Sequence, residues 1–381
     1  MAARFRRLSL RNWRNFKRVD VELGRRVFVV GPNASGKSNL LDAIRFLRDI
    51  ARPGGGLVSA VTNRRGLKHI RSLHAGNDSG VSIEVEVDLD GDPNSWTYAL
   101  TLSGSESKNR PLRVEQEIVR HGEEEVSRRN GGSDPRLSTQ TNLEQTSQSV
   151  DFRQLAEALG SVLHVHVVPQ VARAPERAEE FSLRDAPGSD FIDQLARLTP
   201  AKRRAALKRV EKLLRIAVPG FSELDVDRDE LGKPHLVARY EHWRKRGGWQ
   251  NEREFSDGTL RLIGLLWAID TGDAPLLLEE PELSLHREVI RQLPRLFSQA
   301  AARNGRQIIV STHAEEILGD RGIDPSEILV LDASSSATSV VRGSDHPKIV
   351  EAARARVPLG RVVSGLTKPK RVEQLSLPLE A

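Results

Sequence analysis

The segment GPNASGKS, at positions 31–38, constrains the fold of this chain more than any other feature. It fits the pattern G-x-x-x-x-G-K-[ST] at every fixed position. The apolar run 27–30 precedes it as a buried strand would, and residues 39–50 follow it with the periodicity of an amphipathic helix. Because glycines let a backbone approach closely and turn its amides inward, this order of strand, loop and helix predicts a phosphate-binding loop in an α/β sheet.

The residues of this loop have different parts in holding a phosphate chain. Lys37 offers a positive charge to the outer phosphates, Ser38 offers a hydroxyl to Mg²⁺, and the following helix adds its N-terminal dipole. We therefore predict that the whole turn contacts the nucleotide, through Asn33, Ala34, Ser35, Gly36, Lys37, Ser38 and Asn39.

Two carboxylates follow a second apolar strand, in the segment LLLEEPELSLH at 276–286. The carboxyl ends of strands are where ligands bind in open α/β sheets. We expect Glu279 to order Mg²⁺ through its water shell and Glu280 to position or activate the attacking water. A carboxylate suits either task, because phosphate hydrolysis mainly needs orientation and charge stabilisation.

Two further segments complete the candidate site. QIIVSTHAEEI, at 307–317, predicts a buried strand that leaves His313 at the same sheet edge, where it could hydrogen-bond the γ-phosphate and the water. FSDGTLR, at 255–261, comes just before a long apolar helix. Since a helix N-terminus favours anions, Ser256, Asp257 and Gly258 are predicted to contact nucleotide as well.

These four motifs, in this order, resemble those of the ABC-type ATPases. More narrowly they resemble the branch that contains SMC and RecF proteins and the OLD-type ATPases of phage defence. The resemblance covers residues 4–50, including RNWRNF, and residues 250–335. It departs from the commoner pattern at Glu279, where aspartate is usual.

The resemblance implies an α/β fold, an ABC-type P-loop NTPase head with an inserted α+β or helical lobe. It implies ATP and Mg²⁺ as cofactors, ATP hydrolysis, and a homodimer or higher homo-oligomer. In this family the segment containing Ser256 and Gly258 completes the site of the other subunit, on ATP bound by the other subunit's Lys37.

The phosphate loop and the later motifs lie more than 200 residues apart, which indicates an insertion between two halves of one head. We expect the first half at 1–120, the inserted lobe at 121–235, the second half at 236–340 and a basic tail at 341–381. Alternating residues at 81–89 and 96–102 predict a hairpin, with a third strand at 114–119. Residues 121–150 are polar and are expected to form a loop region.

The composition excludes some classes of protein. The chain has no cysteine, hence no disulfide framework, and no apolar run long enough to cross a membrane, so we expect a cytoplasmic protein with no membrane partner. Its formal net charge of +6 is compatible with DNA binding without requiring it.

Several functions stay open on the sequence. The first is an ATP-gated dimer switch on DNA or on a separate effector protein, in phage defence or DNA repair. A non-hydrolysing ATP-gated clamp is an alternative. A transporter subunit is disfavoured by RNWRNF and the long insertion. A complete OLD-type nuclease is disfavoured because only about 45 residues follow the last predicted strand.

Two basic or apolar segments have two interpretations each. QLSLPL, at 374–379, resembles the peptide by which bacterial proteins dock on the DNA sliding clamp, with Gln374 in a polar pocket and Leu377 and Leu379 in an apolar one; the alternative is a tail packed on its own domain. KRRAALKR, at 202–209, is either a face that contacts DNA or a partner, or a solvated helix surface.

Overall fold

The computed structural model describes residues 2–76, 80–104, 111–131, 137–145, 149–166, 168–173, 191–241, 248–333 and 337–368 of the 381-residue protein. The strands in these ranges are β1 (Ala3–Trp13), β2 (Phe16–Glu22), β3 (Arg26–Val30), β4 (Val81–Leu89), β5 (Trp96–Ser103), β6 (Arg113–His121), β7 (Glu124–Asn130), β8 (Leu163–Val165), β9 (Phe221–Arg228), β10 (Pro234–Tyr240), β11 (Trp249–Asn251), β12 (Leu276–Glu279), β13 (Ile308–Ser311), β14 (Ile328–Asp332) and β15 (Ser339–Arg342).

The α-helices in the same ranges are α1 (Lys37–Ala51), α2 (Leu57–Thr62), α3 (Leu67–Ile70), α4 (Arg153–Ser161), α5 (Pro169–Arg173), α6 (Phe191–Arg197), α7 (Pro200–Ala217), α8 (Asp257–Asp270), α9 (Arg287–Ile290), α10 (Leu293–Asn304), α11 (Glu315–Leu318), α12 (Pro347–Arg354) and α13 (Leu359–Thr367). Within the described ranges, no helix is long and apolar enough to cross a bilayer.

A mainly parallel sheet of six strands carries the phosphate loop. Its strand order is β15-β14-β3-β13-β12-β8, with only β15 antiparallel to its neighbour. Its central strands are buried on both faces, as expected for parallel strands covered by helices. Leu277 and Ile309 face one core, while Leu278 and Val310 face the other. Burial of each such side chain contributes about 1.5–3 kcal/mol.

An antiparallel sheet, in the order β2-β1-β4-β5-β6-β7, packs over one face of the parallel sheet. Helix α1 lies in the core between them, since its buried positions Leu40, Ile44 and Leu47 share that core with Leu8 and Val85. The strands alternate between buried and solvent-facing residues, because one face of this sheet is packed and the other is wet. The predicted hairpin and its third strand are confirmed as β4, β5 and β6.

A small sheet, β11-β10-β9, forms a third core with α6, α7 and α8. Helix α7 contributes Leu207, Val210 and Leu214 to that core, at the spacing of one helix face. The charged residues of the basic segment 202–209 lie on the opposite, solvent-facing side, and Arg209 pairs with Asp270 of α8 at 2.5 Å.

The expected division of the chain does not coincide with these pairings. Residues 121–235 were expected to form one inserted lobe, but β7 is an edge strand of the antiparallel sheet and β8 an edge strand of the parallel sheet. The expected boundary near 236 falls within β10, which pairs with β9. In the expected tail, 341–381, helices α12 and α13 bury Ile349 and Val363 in the core of the head.

Two local features differ from a simple interpretation of the sequence. The chain from Arg287 to Asn304 forms two helices, α9 and α10, rather than one, because Pro294 lacks the N–H that a continuous helix would need there. The polar stretch 121–150 contains the strand β7 and a turn at 137–145. The segment Gln374–Leu379 lies outside the described residues.

Candidate functional site

The phosphate loop runs from Gly31 to Ser38 and is shaped by tight backbone geometry. Gly36 precedes α1 with φ of 98°, a conformation that favours glycine, and Ala34 also has a positive φ of 62°. A side chain at Gly31 would place its Cβ 2.5 Å from Ser35 Oγ. Helix α1 has no side-chain cap hydrogen bond at its N-terminus, so its first amides remain oriented toward the loop.

Asn15, in the turn between β1 and β2, fixes this loop from outside. Its side-chain amide donates to Ser35 O at 2.7 Å and to Thr338 Oγ1 at 2.7 Å, and its oxygen accepts from Asn39 Nδ2 at 2.8 Å. A Cβ at Gly36 would lie within 2.6 Å of the Asn15 side chain, so that glycine is required by contact as well as by φ. The turn of RNWRNF is thus part of the loop's support.

Lys37 is only 6% exposed, although it carries a charged amine. The amine donates to the carbonyls of Gly31 and Pro32 at 3.2 and 3.3 Å and lies 2.5 Å from His313 Nε2. Burial lowers the pKa of Lys37, while the carboxylates of Glu280 and Glu282 oppose that shift. A buried cation that is held by carbonyls and lacks bulk solvent interacts strongly with an incoming anion.

Glu279 ends β12 in register with Ser311, the last residue of β13, and Ser311 is in register with Val29 of β3. Its carboxylate Oε1 accepts from His164 Nε2 of β8 at 2.8 Å. Burial raises the pKa of Glu279, but hydrogen bonds from His164 and Ser38 outweigh it, so the net pKa is lowered and the group is ionised.

Glu280 follows directly, with its backbone N–H donating to Ser311 O at 2.9 Å. Its φ of 44° is unusual for a residue with a side chain and turns the carboxylate out of the strand direction. Glu280 Oε1 lies 3.5 Å from His313 Nε2, and both side chains are 34% exposed. The pKa of His313 is lowered by burial and then by the charge of Lys37, so the ring is neutral at neutral pH.

Glu282 links the segment after β12 to the segment after β13. Its Oε1 accepts from Thr312 Oγ1 at 2.8 Å and from the His313 backbone N–H at 2.9 Å. Thr312 Oγ1 in turn accepts from the Ala314 N–H at 2.9 Å. Burial raises the pKa of Glu282, and its other oxygen is buried without a hydrogen-bond partner in the described structure. This carboxyl fixes the backbone that carries the His313 ring.

The turn before α8 has a different character. Ser256 is exposed, and its Oγ caps the helix by accepting from the Thr259 N–H at 3.1 Å. Asp257 pairs with Arg173 of α5 at 2.5 Å. A Cβ at Gly258 would lie 2.4 Å from Ser284 O, so the turn packs closely on the chain that follows β12.

A family profile described as "AAA domain, putative AbiEii toxin, Type IV TA system" (AAA_21) matches residues 26–319, which span the phosphate loop, the segments after β12 and β13 and the turn before α8. The chain belongs to this AAA_21 family. A search of curated proteins found no match.

Among solved structures, this AAA_21 chain is similar to an SMC head bound to the C-winged helix domain of ScpA. The TM-score is 0.57 at 12% identity, over 88% of this chain and 97% of that one. It is similar also to the SMC head of Pyrococcus furiosus with an extended coiled coil, bound to the C-terminal domain of ScpA (TM-score 0.55, 13% identity, 92% and 100% covered). The head of Pyrococcus yayanosii with a coiled coil and joint gives 0.52 at 12% identity, with 92% and 100% covered.

These comparisons confirm the predicted fold class, an ABC-type P-loop NTPase head, and show that its fold is similar to that of SMC heads. The structure brings Lys37, Ser38, Glu279, Glu280 and His313 to one edge of the parallel sheet. Ser256, Asp257 and Gly258 lie at the start of α8, where they contact α5, α8 and Ser284.

Sequence reasoning missed four contributors to this edge, namely Asn15, His164, Glu282 and Thr312. Signals for Asn15, Glu282 and Thr312 were present, since they lie in the segments RNWRNF, LLLEEPELSLH and QIIVSTHAEEI. His164 had no signal beyond a polar residue in an otherwise apolar strand.

The donor set at this edge fits a nucleotide and a divalent cation. Backbone amides, a buried amine and a helix N-terminus suit phosphates, which are anionic. The Ser38 hydroxyl and the Glu279 carboxylate, which hydrogen-bond each other, are hard oxygen ligands of the kind that Mg²⁺ prefers.

Proposed function

We propose that this protein binds ATP with Mg²⁺ and hydrolyses it, and that ATP closes a homodimer. The observation that supports it best is the meeting of a desolvated lysine amine, an ionised carboxylate beside a serine hydroxyl, and a glutamate beside a neutral histidine at one sheet edge. Each of these groups has a distinct use in phosphoryl transfer to water.

The phosphate loop would hold the β- and γ-phosphates. Residues Asn33 to Asn39 surround the phosphates with amides, and Lys37 adds a charge that is already desolvated before ATP arrives. Since the amine gives up little hydration on binding, more of its attraction for the phosphates appears as affinity. Ser35 and Lys37 are buried, whereas Asn33, Ala34 and Ser38 face solvent, so the loop is open on the side from which a ligand enters.

Ser38 and Glu279 would hold Mg²⁺, Ser38 directly and Glu279 through a water molecule. The ion would neutralise charge on the phosphate oxygens. Glu279 is suited to this because its lowered pKa keeps it anionic.

Glu280 would orient the attacking water and accept its proton, while the oxygen forms a bond to the γ-phosphorus and the bond to the bridging oxygen breaks. Its exposure leaves room for that water. His313 would donate a hydrogen bond to a γ-phosphate oxygen, which a neutral ring can do from Nε2 once the lysine amine turns to the phosphate.

Ser256, Asp257 and Gly258 would act on the ATP of the partner subunit. The turn is exposed and rigidly held, and it carries the N-terminal dipole of the 14-residue helix α8. In this proposal the dimer is the active unit because the exposed face of the loop needs a second surface to exclude water.

The switch would act on DNA or on a separate effector. Two of the similar SMC heads are bound to domains of ScpA, which supports a partner protein for this head as well. DNA as ligand is supported by the net charge of +6 and by the exposed cations of the segment 202–209. Antiviral defence, DNA repair and a sliding-clamp partner for Gln374–Leu379 are further proposals that depend on the sequence alone.

The first experiment is phosphate release by the wild-type protein and by Glu280→Gln, with and without duplex DNA, with the mass of each measured by light scattering. We expect the variant to lose turnover and to accumulate as an ATP-dependent dimer. A wild-type protein that binds ATP but releases no phosphate would overturn hydrolysis and favour an ATP-gated clamp. Turnover indifferent to DNA would favour the effector protein as partner.

A further inference from the structure

A buried histidine stands behind the first glutamate of the site. His164 belongs to β8, is 3% exposed, and pairs in register with Leu277 of β12. Because side chains two residues apart lie on the same face of a strand, the side chains of His164, Leu277 and Glu279 all face the core that contains α1. The carboxylate of Glu279 therefore reaches the histidine ring from the adjacent strand, with 2.8 Å between Oε1 and Nε2.

The direction of this hydrogen bond follows from its partners. An ionised carboxylate only accepts, so Nε2 must carry the hydrogen and donate it. Nδ1 is then buried, and it has no hydrogen-bond partner in the part of the chain that the structure describes. Burying a polar atom without a partner destabilises a fold, so a leucine at this position would serve the core better. The histidine therefore lowers the stability of the fold, so its hydrogen bond to Glu279 must have a use other than stability.

A second histidine, His166 directly after β8, contacts the backbone of the same glutamate. His166 Nδ1 lies 3.3 Å from the carbonyl oxygen of Glu279, which can only accept, so His166 donates. His164 of β8 and His166 directly after β8 thus restrain the side chain and the backbone of a single residue.

We propose that His164 is the positioning residue for Glu279. It would hold Oε1 so that Oε2 is presented toward Ser38 and the divalent cation bound there. This rests on the proposed function of the site. The side chain of glutamate has one more rotatable bond than that of aspartate, and the hydrogen bond from His164 restrains it. Hydrogen bonds to the carboxylates that order a metal characteristically set their orientation.

The test uses His164→Leu, which removes the donor, and His164→Gln, whose amide nitrogen can replace Nε2. A matched control is His121→Leu, since His121 also bonds a carboxylate, Asp92, at 2.9 Å, but belongs to the antiparallel sheet. Binding of a non-hydrolysable ATP analogue is measured first in EDTA. Mg²⁺ is then titrated into each protein with the analogue bound, and the rise in melting temperature gives the half-saturating Mg²⁺ concentration.

We expect His164→Leu to bind the analogue in EDTA as the wild type does, and to melt at the same or a higher temperature when free of ligand. Its half-saturating Mg²⁺ concentration should rise about 10–100-fold, the usual effect of losing such a support. His164→Gln should have a half-saturating Mg²⁺ concentration close to that of the wild type, and His121→Leu should have the same value as the wild type.

An unchanged Mg²⁺ requirement in His164→Leu overturns the proposal. The proposal is also overturned if His164→Leu lowers the melting temperature of the ligand-free protein and weakens binding of the analogue equally in EDTA and in Mg²⁺. That result would give His164 a role in the fold alone. Failure of the wild type to bind the analogue would refute the proposed function instead.

Discussion

The phosphate loop and the turn before α8 are both predicted anion sites because each lies at a helix N-terminus, yet they are built in opposite ways. In the loop, Lys37 is buried and its amine already contacts two carbonyls and His313. In the turn, Ser256 is exposed and its hydroxyl is used within its own helix cap. One site is assembled from distant segments of a single chain, whereas the other presents a rigid surface outward. This difference is what a site completed by a second subunit requires.

The same contrast holds for the histidines of the two regions. Burial lowers the pKa of His313 at the edge of the parallel sheet. In the small sheet that leads to the turn, hydrogen bonds to Glu252 and Asp229 raise the pKa of His235. A neutral ring can donate to phosphate while a neighbouring lysine supplies the charge, whereas a charged ring stabilises the strands between two carboxylates. The two histidines therefore contribute to stability in opposite directions as pH rises.

The largest effect should come from Lys37→Ala. Loss of the buried amine removes a charge-assisted contact to phosphate, and we expect at least about a 100-fold loss of affinity for ATP together with loss of turnover. The melting temperature of the ligand-free protein should not fall, because burial already disfavours the charged amine. Calorimetric titration of ATP checks this, with Lys348→Ala on the exposed side of α12 as control. Equal ATP affinity in Lys37→Ala and Lys348→Ala would mean that the phosphate loop does not bind ATP.

A smaller effect is expected at the turn, from Ser256→Asp. Aspartate caps a helix as well as serine does, so α8 should be retained, but its charge repels phosphate. We expect turnover to fall about 10–100-fold while the affinity of the monomer for ATP stays unchanged. A substitution in the phosphate loop would lower both. Ser256→Asn, which caps without charge, is the matched control and should keep most of the activity.

Mixing the two inactive variants sharpens the comparison further. If the turn of one subunit serves the loop of the other, each mixed dimer of Lys37→Ala with Ser256→Asp has one intact site. An equal mixture should then recover about a quarter of wild-type turnover, because half of the dimers are mixed and each has one working site of two. No recovery, with mixed dimers demonstrated by co-purification of two differently tagged variants, would mean that the turn acts within its own chain.

A more moderate effect is expected at Glu282. Because its Oε1 only accepts hydrogen bonds from Thr312 and His313, Glu282→Gln should keep turnover close to wild type. Glu282→Ala should lose about 10-fold in kcat with little change in KM, because the His313 backbone is released. Steady-state kinetics distinguish Glu282→Gln from Glu282→Ala. Glu280→Gln, two residues away, provides the contrast, because there an amide is expected to abolish turnover. A large loss in Glu282→Gln would show that its charge is needed.

The smallest effect concerns pH. Since the pKa of His235 is raised from its ordinary 6.5, its contribution to stability is complete below that value and is lost as pH rises through the raised pKa. Melting temperatures of wild type and His235→Gln should therefore differ by roughly 1–2 °C at about pH 6 and converge at about pH 9. A difference that grows with pH would contradict the assignment of a charged ring.

The sequence by itself largely determined which residues meet at the edge of the parallel sheet. The motif GPNASGKS predicts its own conformation, because glycine spacing and the flanking apolar periods restrict the local backbone. The carboxylates at 279 and 280 and the histidine at 313 each follow an apolar strand, and parallel strands end at one edge, so their meeting could be predicted without coordinates. The comparisons confirm the fold that these motifs predicted.

Only the tertiary structure decided what surrounds that edge. No local pattern shows that β7 and β8, inside the expected insertion, complete two different sheets, because strand partners are chosen by long-range pairing. The same pairing brings His164 against Glu279 across 115 residues of chain, and a loop contact brings Asn15 against Ser35. Local sequence specifies conformation through short-range sterics and periodicity, whereas which side chain supports which is decided when distant strands enter one sheet.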